Sequence, residues 1–229
     1  MIKSQLHISR RWFIRGSLAS VLLSSCGENR LTRTIIDAYK LTFQDRPSPP
    51  FTREYITKLP YASISAKIGK GPKSLLVLWR VENNEQFWLA ADGVVLGIKK
   101  GRILKTAGLP ETIIDTIPIN TDPIYLGLHK KENHKVYERN IDFKGKNSIY
   151  PKTVKILSNF SYEGSQIVNI YDIDFETILI RETCTAKNLN WKFDNLFWVD
   201  PNTGMVWKSV QHVSREFSPI VIEVLKPAA

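Results

Sequence analysis

The chain has 229 residues, 43% of them hydrophobic and 10% aromatic, which supports a packed core and excludes wholesale disorder. Two cysteines exclude a disulfide scaffold or a thiolate zinc cluster, and no apolar run reaches the roughly 18 residues that a spanning helix needs. The net charge of +10 invites a nucleic-acid reading, which lapses once the charge is apportioned along the chain.

Residues 1–25 have the layout of an export signal: a basic start without an acid, a short apolar stretch, then small residues. Ser9-Arg10-Arg11-Trp12-Phe13-Ile14-Arg15 resembles the bacterial twin-arginine signal, against the alternative of an ordinary basic start for the general secretory route. Leu23-Ser24-Ser25-Cys26 resembles a lipobox, so cleavage before Cys26 and acylation of its sulfur are expected. Removing 25 residues leaves 204, and Lys3, Arg10, Arg11 and Arg15 leave with them, so the +10 becomes +6. Several acyl chains anchor stably, each buried methylene contributing about 0.8 kcal/mol. Gly27 after the cysteine, rather than aspartate, is expected to permit transfer to the outer membrane. Cys184, left alone, reads as a buried free thiol.

Residues 26–229 read as one mainly β domain. Leu31, Ile35, Ile36, Tyr39 and Phe43 recur at helical spacing and predict an amphipathic helix over about 29–45, ended by the Pro-rich connection 47–50. From 55 to 229 strand signals dominate. Ser74–Val81, Gln86–Ala91, Val94–Lys99 and Arg102–Thr106 form a predicted meander with turns at Asp92-Gly93 and Lys100-Gly101. Pro110, Pro118 and Pro123 punctuate a less regular middle. Further strands are predicted at Lys152–Glu163, Gln166–Phe175, Thr177–Thr185, Leu196–Val199, Met205–Val213 and Ile220–Leu225. The spacing predicts an antiparallel barrel-like or sandwich-like fold.

Little in the sequence carries chemistry. His129 and His134 lie in a charged tract, off the i, i+4 spacing of a helical metal pair, and His212 reads as structural. No metal site or cofactor is expected. Asp172, Asp174 and Glu176 share one face of a strand, roughly 6–7 Å apart, a spacing open to glycoside hydrolysis, to cation binding, or to a plain solvated face or a turn near Asp174. Trp88 and Trp198, with the basic cluster Lys99, Lys100 and Arg102, are candidate contacts for a glycan or a protein partner.

Several segments resemble the YjbF/GfcB family of bacterial lipoproteins: Leu59-Pro-Tyr-Ala-Ser63, Leu75–Leu78, Phe87-Trp-Leu89, Gly101–Thr106, Phe197–Gly204, Ser209–Gln211 and Leu225-Lys-Pro-Ala228. The resemblance implies an envelope lipoprotein of capsule or exopolysaccharide production, with a barrel-like fold and no catalytic residues to carry over. Its expected partners are the membrane, through the lipid, other polysaccharide-export proteins and an acidic polysaccharide rather than nucleic acid. A polysaccharide hydrolase and a glycan-binding lipoprotein are the rival readings.

Overall fold

The computed structural model describes residues 52–127 and 136–228. The export signal with Arg10, Arg11, Leu23, Ser24, Ser25 and Cys26, the helix expected over 29–45, and His129 and His134 lie outside the described residues.

A short helix, α1 (Arg53–Lys58), opens the described chain; its N-cap Thr52 accepts from the Tyr55 N–H, which satisfies one of the helix's open donors. Twelve antiparallel strands follow: β1 (Ser63–Ile68), β2 (Ser74–Glu82), β3 (Glu85–Ala90), β4 (Val95–Lys99), β5 (Arg102–Ala107), β6 (Glu111–Pro118), β7 (Tyr137–Gly145), β8 (Lys152–Ile170), β9 (Ile173–Ala186), β10 (Trp191–Val199), β11 (Val206–Gln211) and β12 (Ile220–Lys226). A one-turn helix, α2 (Pro123–Leu126), sits between β6 and β7.

Each strand pairs with its sequence neighbour except across one seam, and β1 pairs with β12, so the sheet curls into a nearly closed barrel. The seam lies between β5 and β6, where side chains stand in for the missing ladder. Ile113 N–H donates to Thr106 Oγ1 at 2.8 Å, and Thr116 Oγ1 donates to the Leu104 carbonyl at 2.8 Å. Closure covers edges that would otherwise expose unpaired backbone groups.

Inward positions alternate along the strands, as in β10, where Phe193, Asn195, Phe197 and Val199 are buried between more exposed neighbours. Ile64, Leu76, Leu96, Ile156, Cys184 and Ile222 belong to the main apolar cluster. The β8–β9 hairpin extends well past its neighbours. Beyond a bulge between Tyr162 and Ser165 its arm packs with α1 against other strands, joining Val168, Ile170, Ile56 and Leu225 in a separate cluster. Phe175 stacks on Trp207 there, with centroids 4.0 Å apart.

The fold departs from the sequence reading in three places. The middle section expected to be irregular holds β6 and β7, with Pro110 just before β6 and Pro118 at its end. The segment Gln166–Phe175 is not one strand: Tyr171 and Asp172, with φ of 47° and 68°, form the hairpin turn, while the expected break near Glu163 is only the bulge. α1 stands where strand was expected to begin.

Candidate functional site

In a meander the even-numbered strands all finish at one rim. That rim therefore gathers the β2–β3 turn at Asn83-Asn84, the β4–β5 turn at Lys100-Gly101, α2 after β6, the β10–β11 turn, and the residues after β12. Just inside it lies a cavity of about 490 Å³. Trp88 and Gln86 on β3, Tyr125 and Leu126 on α2, Lys100, Ser209, Trp207 and Lys208 contribute to its wall, with Ile64, Ile98, Ile222 and Val224 on its apolar side. Among the described residues two lysines and no carboxylate line it. Trp88 Nε1 and the Tyr125 hydroxyl are buried and have no protein hydrogen-bond partner among the described residues.

Beside the cavity the interior is ionic. Arg102 on β5 donates from Nη2 to Asp122 Oδ1 at 3.1 Å, pairs with the same carboxylate through Nε, and donates from Nη1 to Glu182 Oε2 at 2.8 Å. Arg139 on β7 donates from Nη1 to Glu182 Oε1 and to Ser158 Oγ, both at 2.8 Å. Asn195 Nδ2 on β10 donates to Glu182 Oε2 at 2.8 Å. The Arg102 guanidinium also lies 5.1 Å from the Tyr137 ring centre and 5.2 Å from that of Phe197. Two cations meet two anions, and charges too costly to bury alone are neutralised in place. Asp122 is also the N-cap of α2, its Oδ1 accepting from the Ile124 N–H, so the network fastens α2 to the barrel.

Burial alone would push the Glu182 carboxyl up, but Arg102 and Arg139 outweigh it and hold it well below the usual carboxylate range. A depressed folded pKa contributes stability that is present above the unfolded value and lost as pH falls through the folded one. Glu223, partly buried between Lys73 and Lys208, is also lowered and has the same sign. Acid titration followed by circular dichroism should therefore show stability falling below about pH 4.5. Stability that rises on acidification would contradict this assignment.

The sequence-derived candidates divide. Trp88 and Lys100 come together on the cavity wall, and Lys99 stands 5.8 Å from the Tyr125 ring, opposite the Lys100 Nζ bond to the Tyr125 carbonyl at 3.3 Å. Arg102 is no surface contact: it is 1% exposed, because its charge is spent on Asp122 and Glu182. Trp88, at 3% exposed, is an interior wall rather than a surface platform, since β3 turns it inward beside Leu76 and Leu96. Trp198 points to the outer face, its Nε1 donating to Gln166 Oε1 at 2.9 Å. Cys184 is a fully buried free thiol, and burial pushes it up to about 12. Asp172 is in the hairpin turn; Asp174 and Glu176 are exposed on the arm, Asp174 accepting from Asn169 Nδ2 at 2.7 Å. The residues that sequence reasoning missed are Asp122, Arg139, Glu182 and Tyr125. Their one available signal was a charged residue in the inward phase of a strand, at Arg139 and Glu182.

The family described as Group 4 capsule polysaccharide lipoprotein gfcB, YjbF matches residues 36–225. The chain is 26% identical over 212 residues to the uncharacterized lipoprotein GfcB of Escherichia coli (strain K12), covering 93% of this chain and 97% of that one. It is 21% identical over 211 residues to the uncharacterized lipoprotein YjbF of the same strain, covering 92% and 96%. The crystal structure of the hypothetical lipoprotein YmcC from Escherichia coli (K12) superposes with a TM-score of 0.74 at 24% identity, over 89% of this chain and 99% of that one. At that identity the likeness speaks to the fold.

Proposed function

The chain belongs to the YjbF family of group 4 capsule polysaccharide lipoproteins, and from that premise we propose a lipid-anchored envelope protein that assists capsule or exopolysaccharide assembly or export without catalysing a reaction. Acylated Cys26 is the anchor, and the Gly27 that follows it favours the periplasmic face of the outer membrane. The barrel acts among other proteins of the export system.

One observation carries the non-catalytic part. All five buried charged side chains among the described residues, Arg102, Asp122, Arg139, Glu182 and Glu223, are held in ion pairs. A general acid or base needs a carboxyl or imidazole poised near working pH, whereas the carboxylate at the centre of this network is held far below it. The carboxylates of the hairpin arm face solvent away from the cavity wall.

Deleting the gene should lower polysaccharide at the cell surface while leaving precursor synthesis intact, as measured on fractionated cells. Normal surface polysaccharide would end the proposal. Recovery of shortened or chemically altered chains only when Asp174 and Glu176 are present would favour a modifying enzyme instead.

A further inference from the structure

Resting on the reading of a polysaccharide-associated lipoprotein, we infer that the rim cavity is a binding site for a short acidic saccharide, one or two sugar units carrying a carboxylate. The size is right for a small-ligand site: about 490 Å³ falls within the usual range of several hundred Å³. The wall chemistry selects the class. Aromatic side chains at Trp88 and Tyr125 suit the apolar C–H faces of a sugar ring. Asn84, Gln86, Thr203 and Ser209 supply the donors and acceptors that a ring of hydroxyls requires.

Charge then sets the sign. Among the described residues the wall holds Lys100 and Lys208 and no acid, so a cationic or metal-bound ligand meets no counter-charge from them. Lys208 is already paired with Glu223 at 3.3 Å, which leaves Lys100 as the cation for an incoming carboxylate. Among the described residues neither Lys100 nor Lys99 has a carboxylate partner, and both approach Tyr125. Trp88 Nε1 and the Tyr125 hydroxyl add two polar groups without a protein partner among the described residues. A polar group without a protein partner on the wall of a site offers a hydrogen bond that a polar ligand can take and a hydrocarbon cannot. An acyl chain would meet the aliphatic side of the cavity but leave these groups unsatisfied.

The test is a proton–nitrogen NMR titration of the mature protein with a glucuronic-acid-containing disaccharide, with cellobiose and dodecanoate as comparison probes. The Trp88 indole resonance is assigned through Trp88→Phe. Expected is a saturable shift of that resonance with the acidic disaccharide, with affinity lowered about fivefold in Lys100→Ala, the loss of one charge-assisted contact. Cellobiose should bind more weakly than the acidic sugar by a similar factor. Absence of saturable shifts, equal response to cellobiose, or preference for dodecanoate would each overturn the inference. Lys100 is exposed, so its replacement leaves the fold intact and keeps the test decisive should Trp88→Phe fail to fold. Failure here, with surface polysaccharide still dependent on the gene, would remove the saccharide site and leave the proposed function standing.

Discussion

Glu182→Gln should destabilise the barrel by about 3–5 kcal/mol, the cost of leaving a buried cation uncompensated. The substitution keeps the size of the side chain, removes its charge and turns one of its two accepting oxygens into an NH2 donor that faces the donors of Arg139 or of Arg102 and Asn195. Arg102 would retain Asp122, but Arg139 would be left without an anionic partner, since Ser158 and the Cys184 sulfur are neutral at neutral pH. Arg139 is 3% exposed and cannot reach water without dragging β7 outward. In a domain of this size each kcal/mol moves Tm by about 2–4 °C, so a fall of roughly 10 °C is expected by calorimetry. The same variant should lose the acid-sensitive component that Glu182 contributes. Glu82→Gln is the control, because the Arg80–Glu82 pair is exposed and worth at most about 1 kcal/mol. Equal effects at the two positions would mean that the interior network holds nothing.

Gly101→Ala should be the second most damaging small change, at about 2–4 kcal/mol. Gly101 sits at φ +85°, and an added Cβ would clash with Val206 Cβ. Val206 is packed with Phe197 and Val199 and has no free end to swing away. The Gly101 carbonyl also accepts from Gln211 Nε2 at 2.7 Å, so displacing the turn breaks a second link to β11. Gly93 gives the contrast: its φ is +88°, but nothing lies within 4 Å of an added Cβ. Gly93→Ala therefore carries only the conformational cost of about 1–2 kcal/mol. Chemical denaturation of both variants separates the clash from the backbone preference; if they match, the contact with Val206 is immaterial.

The sequence revealed those parts of the fold whose signals are local. Asp92-Gly93 and Lys100-Gly101 marked tight turns, both glycines have positive φ, and the strands beside them are where alternation placed them. β6 and β7 were hidden for opposite reasons. Prolines at 110 and 118 masked the first by bounding it closely, and Arg139 in the inward phase masked the second by breaking its apolar alternation. The site was only partly legible for the same cause. Arg102 looked like one more base in a surface cluster, because its partners Asp122 and Glu182 are brought to it only by closure of the barrel. Trp88 and Lys100 were singled out by residue type and both line the cavity, but an indole on a strand does not reveal whether it faces lumen or solvent until the register is fixed. Trp198, in the opposite phase of β10, went outward.

The central claim, that this barrel serves surface polysaccharide from a lipid tether, is tested most directly by complementing the deletion strain with Cys26→Ala. Surface polysaccharide is then measured per unit of exported protein. The expected result is that the wild-type gene restores surface polysaccharide and the untethered barrel, folded and exported, does not. Full restoration by Cys26→Ala would contradict it.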